Sequence, residues 1–252
     1  MRPERVDIWQ EEQSGAGEMS EMRIGDVRAL LPGLLSQYAG QAQVIYMDPP
    51  FGTGQVFSMR VRVGEKEWRS GVGSLEKQAY DDQMGLEDYL ALIREALIGA
   101  RDLLCDTGVV FLHVDFRMHA RLRLIMDEVF GESNFLNEII WSYQSGGRAR
   151  RFFSRKHDVI LFYRKTKKYY FNLEAVPISR TDARHNHMKR HVDADGRVYR
   201  SIRSGGKIYT YYDDEPAYPG DVWDDVSHLQ QKDPQRTGYD TQKPLRLLER
   251  II

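Results

Sequence analysis

The chain has 252 residues, of which 41% are hydrophobic and 29% charged, and its formal net charge is −1. This length is enough for one sizeable α/β core, and the near-neutral charge means that any nucleic-acid binding must come from local basic patches. The single cysteine, Cys105, excludes an intramolecular disulfide and a metal site built from cysteines. No apolar stretch approaches the roughly 20 residues of a membrane span. The start of the chain shows no signal-peptide pattern, so we expect a cytoplasmic protein without membrane contacts.

The first predicted elements are short. Residues 1–21 are polar and predict a loose leader. A strand near Met22–Ile24 leads into a short helix, which we expect Pro32 to interrupt. The apolar run Val44–Met47 predicts a buried strand, which ends abruptly because two consecutive prolines cannot continue a sheet ladder. Residues 57–83 carry glycines and mixed charge, and we expect a mobile loop there.

Helices and strands then alternate. Leu86–Leu104 has its apolar residues on one helical face, and Leu122–Val129 repeats the pattern in a second helix. Val109–Val114 is almost continuously apolar, as in a parallel strand covered on both faces. Ile139–Tyr143 and Val159–Tyr163 predict two further strands. This alternation predicts the α/β class, with a doubly wound sheet.

The most informative motif is Asp48-Pro49-Pro50-Phe51-Gly52-Thr53-Gly54, directly after the strand Val44–Met47. In open α/β sheets, ligands bind at the carboxyl ends of strands, which is where this motif lies. Its chemistry suits methylation of an exocyclic amino group, whose lone pair is delocalised into the base. The Asp48 carboxylate and the Pro49 carbonyl can accept the two N–H bonds of that amine. Phe51 can stack on a base that is flipped out of the duplex. The alternative is an ordinary Pro-Gly turn after a strand.

Further segments match one family in the same order along the chain. They are Ile24-Gly25-Asp26, Gly108–Asp115, Phe130–Trp141, Lys156–Tyr163 and Arg236–Leu245, the last containing Thr241-Gln242-Lys243-Pro244. Together with Asp48–Phe51, they resemble the DNA amino-methyltransferases of the permuted β group, and the adenine-specific members most. The resemblance covers the chain from about Met22 onward. Asp-Pro-Pro-Phe and Thr-Gln-Lys-Pro are its specific parts. Asp240 lies where the family often has proline.

The resemblance implies a Rossmann-like methyltransferase sheet, with S-adenosylmethionine as cofactor and adenine N6 in double-stranded DNA as substrate. It places Asp48, Pro49, Pro50 and Phe51 in the catalytic motif, and Asp26, Thr241, Gln242 and Lys243 at the cofactor. It also divides the chain into a catalytic part at 22–171, an inserted target-recognition region at 172–235 and the start of a cofactor-side helix at 236–252.

The resemblance also implies that the sheet is incomplete. Family members have a glycine-rich turn soon after the Thr-Gln-Lys-Pro helix, and it holds the methionine part of the cofactor. This sequence ends at Ile252, before such a turn. We therefore expect the chain alone neither to fold stably nor to bind the cofactor tightly. A second chain that supplies the missing strands, or a restriction subunit, is an expected partner.

A basic stretch follows the strand at Ile139–Tyr143. Its candidate DNA-binding residues are Arg148, Arg150, Arg151, Arg155, Lys156 and His157. Phe152 and Phe153 lie among them, and basic residues mixed with aromatics suit phosphate contacts and base stacking. The alternative is a solvated basic face without a partner.

Other candidate sites are open to structural interpretations. His185, His187 and His191 lie close together, but their basic surroundings favour a solvated or DNA-facing cluster, and we expect no metal. His113 and Asp115 end a strand and either line a pocket or form a structural pair.

Two alternative functions remain at this stage. One is a DNA-binding subunit without catalysis, and the other is a cytosine-N4 methyltransferase. Asp48 favours adenine, because cytosine-specific relatives often have serine at that position.

Overall fold

The computed structural model describes residues 7–12, 19–50, 56–62, 74–81, 85–143, 149–178, 188–230, 233–237 and 241–252. The chain divides into two compact units, of which the first comprises Met1–Tyr170 and Asp224–Ile252 and the second Phe171–Trp223. The second unit begins one residue before the predicted target-recognition region. Residues 224–235, which the sequence assigned to that region, belong to the first unit.

The first unit contains most of the regular structure. In chain order its elements are β1 (Asp7–Glu12), β2 (Met19–Ile24), α1 (Val27–Tyr38), β3 (Ala42–Met47), β4 (Val56–Arg62), β5 (Ser74–Asp81), α2 (Leu86–Leu103), β6 (Leu104–Val114), α3 (His119–Phe130), a 3₁₀ turn (Glu132–Asn134), β7 (Phe135–Ser142), β8 (His157–Arg164) and α4 (Leu245–Ile251). The second unit has a 3₁₀ turn (Leu173–Ala175), β9 (Arg190–Val192), β10 (Val198–Ser204), β11 (Lys207–Tyr212) and β12 (Val222–Trp223).

The main sheet of the first unit has its strands in the order β7, β8, β6, β3. β3 pairs with β6 in parallel, and β8 is antiparallel to both β6 and β7. β3, β6 and β7 therefore point the same way. Their carboxyl ends and the first residues of β8 lie at one edge of the sheet, which we call the site edge. The mixed α/β architecture agrees with the predicted fold class.

The core explains why these elements form. β6 is buried from Val109 to Val114, as its continuous apolar run predicts. One face of β6 presents Val110, Leu112 and Val114 to the core that α2 and α3 share. Gly108 permits the close approach of β3, because a Cβ there would lie 2.8 Å from the Ala42 carbonyl oxygen.

Four local expectations differ from the structure. α1 continues through Pro32 to Tyr38 instead of stopping at the proline. β6 begins at Leu104, five residues before the predicted strand Val109–Val114. Part of the expected polar leader forms β1, which pairs antiparallel with β2 in a separate hairpin. Part of the expected loop at 57–83 belongs to β4 and β5, which form a second hairpin.

The second unit contains an antiparallel sheet with the order β11, β10, β9. Gly205 and Gly206 form the two-residue turn between β10 and β11, and both have positive φ angles of 56° and 79°. Tight hairpins require this conformation, which glycine adopts without steric cost. In the described part of the chain, no helix combines the length and apolarity needed to span a membrane.

Two leucines of α3 test this account of the core. Leu122 is fully buried, whereas Leu124 is 70% exposed on the same helix. We expect Leu122→Ala to lower the free energy of unfolding by about 2–5 kcal/mol, since it removes core packing and leaves a cavity. Leu124→Ala should change it by less than about 0.5 kcal/mol. Chemical denaturation measures both, and equal effects would contradict the assigned packing of α3.

Candidate active site

Asp48 and its two prolines follow β3 directly and lie at the site edge. Pro49 and Pro50 are half-buried, and the Asp48 side chain keeps 26% of its surface exposed. A carboxylate and two prolyl carbonyls thus lie at the edge where ligands bind in open α/β sheets. Phe51 lies outside the described residues, so its stacking role stays a prediction.

Lys243 binds this carboxylate. Its Nζ donates to Oδ1 of Asp48 at 2.8 Å and to Oδ2 at 2.7 Å. The Lys243 side chain is only 11% exposed. The pair joins the two most specific sequence motifs, although 195 positions separate them in the chain. The family resemblance implies that Lys243 lies at the cofactor, and the structure shows its contact with the catalytic motif.

Gln242, another predicted cofactor residue, stabilises the turn before α4. Its Oε1 accepts from the backbone N–H of Thr237 at 2.8 Å and from the Thr237 hydroxyl at 3.0 Å. Its Nε2 donates to the carbonyl of Gln235 at 2.8 Å. Both ends of this amide therefore contact protein.

Asp26 and Thr241 are the remaining predicted cofactor residues. Asp26 is exposed and caps α1, with Oδ1 accepting from the backbone N–H of Arg28 at 2.7 Å. Thr241 is half-buried just before Gln242. A carboxylate and a hydroxyl suit the ammonium and ribose hydroxyls of S-adenosylmethionine. The four residues fit that cofactor in part: Asp26 and Thr241 have suitable groups, whereas both ends of the Gln242 amide and the Lys243 ammonium bind protein groups.

A polar network, which we call the buried network because His113 at its centre is fully buried, includes a residue of the catalytic strand. It consists of Tyr46, His113, Asp158 and Tyr143, from β3, β6, β8 and the end of β7. The Tyr46 hydroxyl is 2.7 Å from Nδ1 of the fully buried His113, whose Nε2 is 3.2 Å from Oδ2 of Asp158. The Tyr143 hydroxyl donates to Oδ1 of Asp158 at 3.2 Å. Because a carboxylate only accepts, the consistent tautomer of His113 has its proton on Nε2 and accepts from Tyr46.

Burial raises the pKa of both phenols of this network. Loss of hydration raises the pKa of Tyr46 well above its usual value, and the nearby carboxylates of Asp48 and Asp158 raise it further. Burial likewise raises the pKa of Tyr143, with a further contribution from Asp158. Both hydroxyls therefore remain available as donors throughout the physiological pH range.

Both polar residues at the end of β6 have protein partners. His113 contacts Tyr46 and Asp158, while Asp115 accepts from the backbone N–H of Arg117 at 2.9 Å. These contacts give both residues partners within the protein. Sequence reasoning missed Tyr46, Asp158 and Tyr143. The sequence indicated this network only through Asp158, a single acidic residue at the start of the apolar strand β8.

The basic stretch also lies at the site edge, since it connects the end of β7 to the start of β8. Arg150, Arg151, Arg155 and His157 are exposed, Lys156 is half-buried, and Arg148 lies outside the described residues. The Arg155 guanidinium lies 4.0 Å from the ring centre of Phe116 and 4.6 Å from that of Phe152. Phe153 beside them is 97% exposed. Cations and aromatic rings therefore occupy the same edge as Asp48.

Asp158 provides a test of the buried network. We expect Asp158→Ala to lower the free energy of unfolding by about 1–3 kcal/mol, because Tyr143 and His113 lose a buried acceptor. The matched control is Glu138→Ala, which removes a carboxylate 2.9 Å from His119 in a half-exposed pair. That change should cost less than about 1 kcal/mol. Denaturant unfolding compares them, and an Asp158 effect no larger than that of Glu138 would contradict the network's role.

Comparisons with known proteins identify the family. The N6/N4 DNA methylase family matches residues 42–252. The type II methyltransferase M.EcaI of Enterobacter cloacae is 33% identical over 144 residues, which cover 57% of this chain and 28% of that protein. The StyLTI Mod subunit, a type III restriction-modification enzyme of Salmonella typhimurium, is 31% identical over 125 residues, which cover 46% and 19%.

A solved structure of the cytosine-N4-specific PvuII DNA methyltransferase aligns with 57% of this chain and 50% of its own, at 11% identity and a TM-score of 0.37. The match spans less than a third of the length of the M.EcaI and StyLTI proteins. Since the family match extends over most of its sequence, the chain belongs to the N6/N4 DNA methylase family.

Proposed function

We propose that the chain carries the catalytic motif of a DNA methyltransferase that modifies the N6 amino group of adenine in double-stranded DNA. The observation that carries the proposal is the Asp48-Pro49-Pro50 motif at the carboxyl end of β3 in a member of this family. The family uses S-adenosylmethionine as methyl donor. When bound, that cofactor supplies an electrophilic methyl group, and Asp26 and Thr241 are the side chains best suited to hold it.

Asp48 and Pro49 would orient the target amine. The Asp48 carboxylate and the Pro49 carbonyl each accept one of its N–H bonds, which directs the nitrogen lone pair away from both acceptors. No residue needs to form a covalent bond with the base, so orientation supplies much of the rate. Adenine is proposed over cytosine because position 48 is aspartate. Mass spectrometry of the methylated nucleosides distinguishes N6-methyladenine from N4-methylcytosine.

The site edge would also bind DNA. Arg150, Arg151 and Lys156 supply charge for phosphate contacts, and the exposed ring of Phe153 is available for stacking. The second unit, Phe171–Trp223, would read the recognition sequence. One relative is the Mod subunit of a type III restriction-modification enzyme, so a restriction subunit is a candidate partner.

Asp48→Ala tests the catalytic proposal. We expect methyl transfer to fall by about 100-fold to 1,000-fold, because the variant loses an acceptor for the target amine. DNA affinity should change little, since Asp48 acts on the base and not on the phosphates. Methylation assays and gel shifts measure the two effects. The control is Asp106→Ala, because Asp106 is exposed and lies near the amino end of β6, away from the site edge. This variant should behave like the wild type. Near-normal turnover of the Asp48→Ala variant would contradict the proposed catalytic role of Asp48.

The basic stretch is tested by its salt dependence. Replacing Arg150, Arg151 and Arg155 together by alanine should reduce the slope of log K against log salt by roughly 0.9 for each phosphate that no longer binds an arginine. The control replaces the same number of basic residues away from the site edge, namely Arg101 at the end of α2 and the exposed Lys167 and Lys168 after β8. Fluorescence anisotropy at several salt concentrations gives both slopes. Equal slopes for the two triple variants would mean that the basic stretch is only a solvated face.

A further inference from the structure

The ion pair between Lys243 and Asp48 is unusual in its geometry and position. Both carboxylate oxygens accept from the same ammonium, at 2.8 and 2.7 Å. The two side chains are 11% and 26% exposed, so water screens the pair less than it would a pair on the open surface. Lys243 therefore lies at the amine acceptor of the proposed function.

The segment that carries Lys243 is anchored independently of this pair. Pro244 directly after it is buried, and Leu247 and Ile251 bury the inner side of α4. Arg250, only 8% exposed, donates to Asp225 at 2.8 Å and fixes the end of the same helix. On the other side, the Gln242 amide holds the turn through Thr237. These contacts thus hold the backbone of Lys243 in place independently of its ion pair with Asp48.

We propose that Lys243 is a positioning residue for the target amine, and not a cofactor ligand. It fixes the orientation of the Asp48 carboxylate and balances its charge before the base arrives. A carboxylate has about four lone-pair positions, so Asp48 can bind Lys243 through both oxygens and still accept an N–H from the amine. This inference rests on the proposed function and assigns a second residue to its amine site.

Two replacements of Lys243 distinguish the effect of its charge from the effect of its size and shape. Lys243→Met keeps an unbranched side chain of similar length but removes the ammonium, so Asp48 loses both hydrogen bonds. Lys243→Arg keeps the charge and can donate to both oxygens through its planar fork, although with a different reach. Lys167→Met is the matched control, because Lys167 is exposed just after β8, away from the site edge.

The kinetic test measures methyl transfer and cofactor affinity on the same variants. We expect Lys243→Met to lower kcat by about 100-fold, as for a misoriented catalytic group. Its Kd for S-adenosylmethionine, measured by calorimetry without DNA, should stay within about threefold of the wild type, because Lys243 is not a cofactor ligand in this proposal. A factor of about three corresponds to less than about 1 kcal/mol of binding free energy. Lys243→Arg should recover part of kcat, and Lys167→Met should change neither quantity. A raised cofactor Kd with unchanged kcat at saturation would overturn the proposal, as would an unchanged kcat and Kd.

A thermal double-mutant cycle tests the pair without any activity. The variants are Asp48→Asn, Lys243→Met and their combination. Removing one partner leaves the other charge half-buried and unpaired, so the double variant should melt roughly 2–4 °C higher than the sum of the single effects predicts. Additive effects would overturn the inference. If the wild-type chain methylates no DNA even together with a second chain that supplies the missing strands, the proposed function fails, and the cycle still decides whether Lys243 fixes Asp48.

Discussion

The parallel pairing of β3 with β6 determines where Tyr46 and the Asp48 motif lie, and other polar groups of the candidate site contact these two. Tyr46 is opposite Phe111 in this register, and Met47 is opposite Leu112, so β3 ends beside the last residues of β6. A slip of one residue would move the side chains of β3 to the opposite faces of the sheet. The burial of β6 by apolar contacts on both faces opposes such a slip. The core thus fixes the direction in which the Asp48 motif leaves the sheet.

Two polar layers are built on this register. The buried network of Tyr46, His113, Asp158 and Tyr143 links β3, β6, β8 and the end of β7 beneath the site edge. Tyr46 precedes Asp48 by two residues, so holding its hydroxyl limits how far the end of β3 can move. The Lys243 ion pair then restrains the carboxylate itself. A preorganised acceptor needs both restraints, because a misplacement of about 1 Å can cost 100-fold in rate.

The sequence predicted those features that depend on neighbouring residues. The apolar pattern of Leu86–Leu104 located α2 to within one residue, and the Asp48 motif located the strand end. β5 was missed because Ser74–Asp81 mixes charged and polar residues without a clear alternation. The contact of Lys243 with Asp48 depends on how α4 packs, which no local pattern encodes over 195 positions. The partners of His113 were missed for the same reason, since the network takes its residues from β3, β6, β8 and the end of β7.

Because of the distribution of its charges, the chain should attract DNA at the site edge and not over its whole surface. The net charge is −1, so there is little long-range attraction for a polyanion. Exposed charges act over about 10 Å at 0.1 M salt. Arg150, Arg151 and Arg155 therefore attract phosphates mainly near the edge that also holds Asp48. Lys243 reinforces this arrangement, because it cancels the negative charge of Asp48 that would otherwise repel an approaching strand.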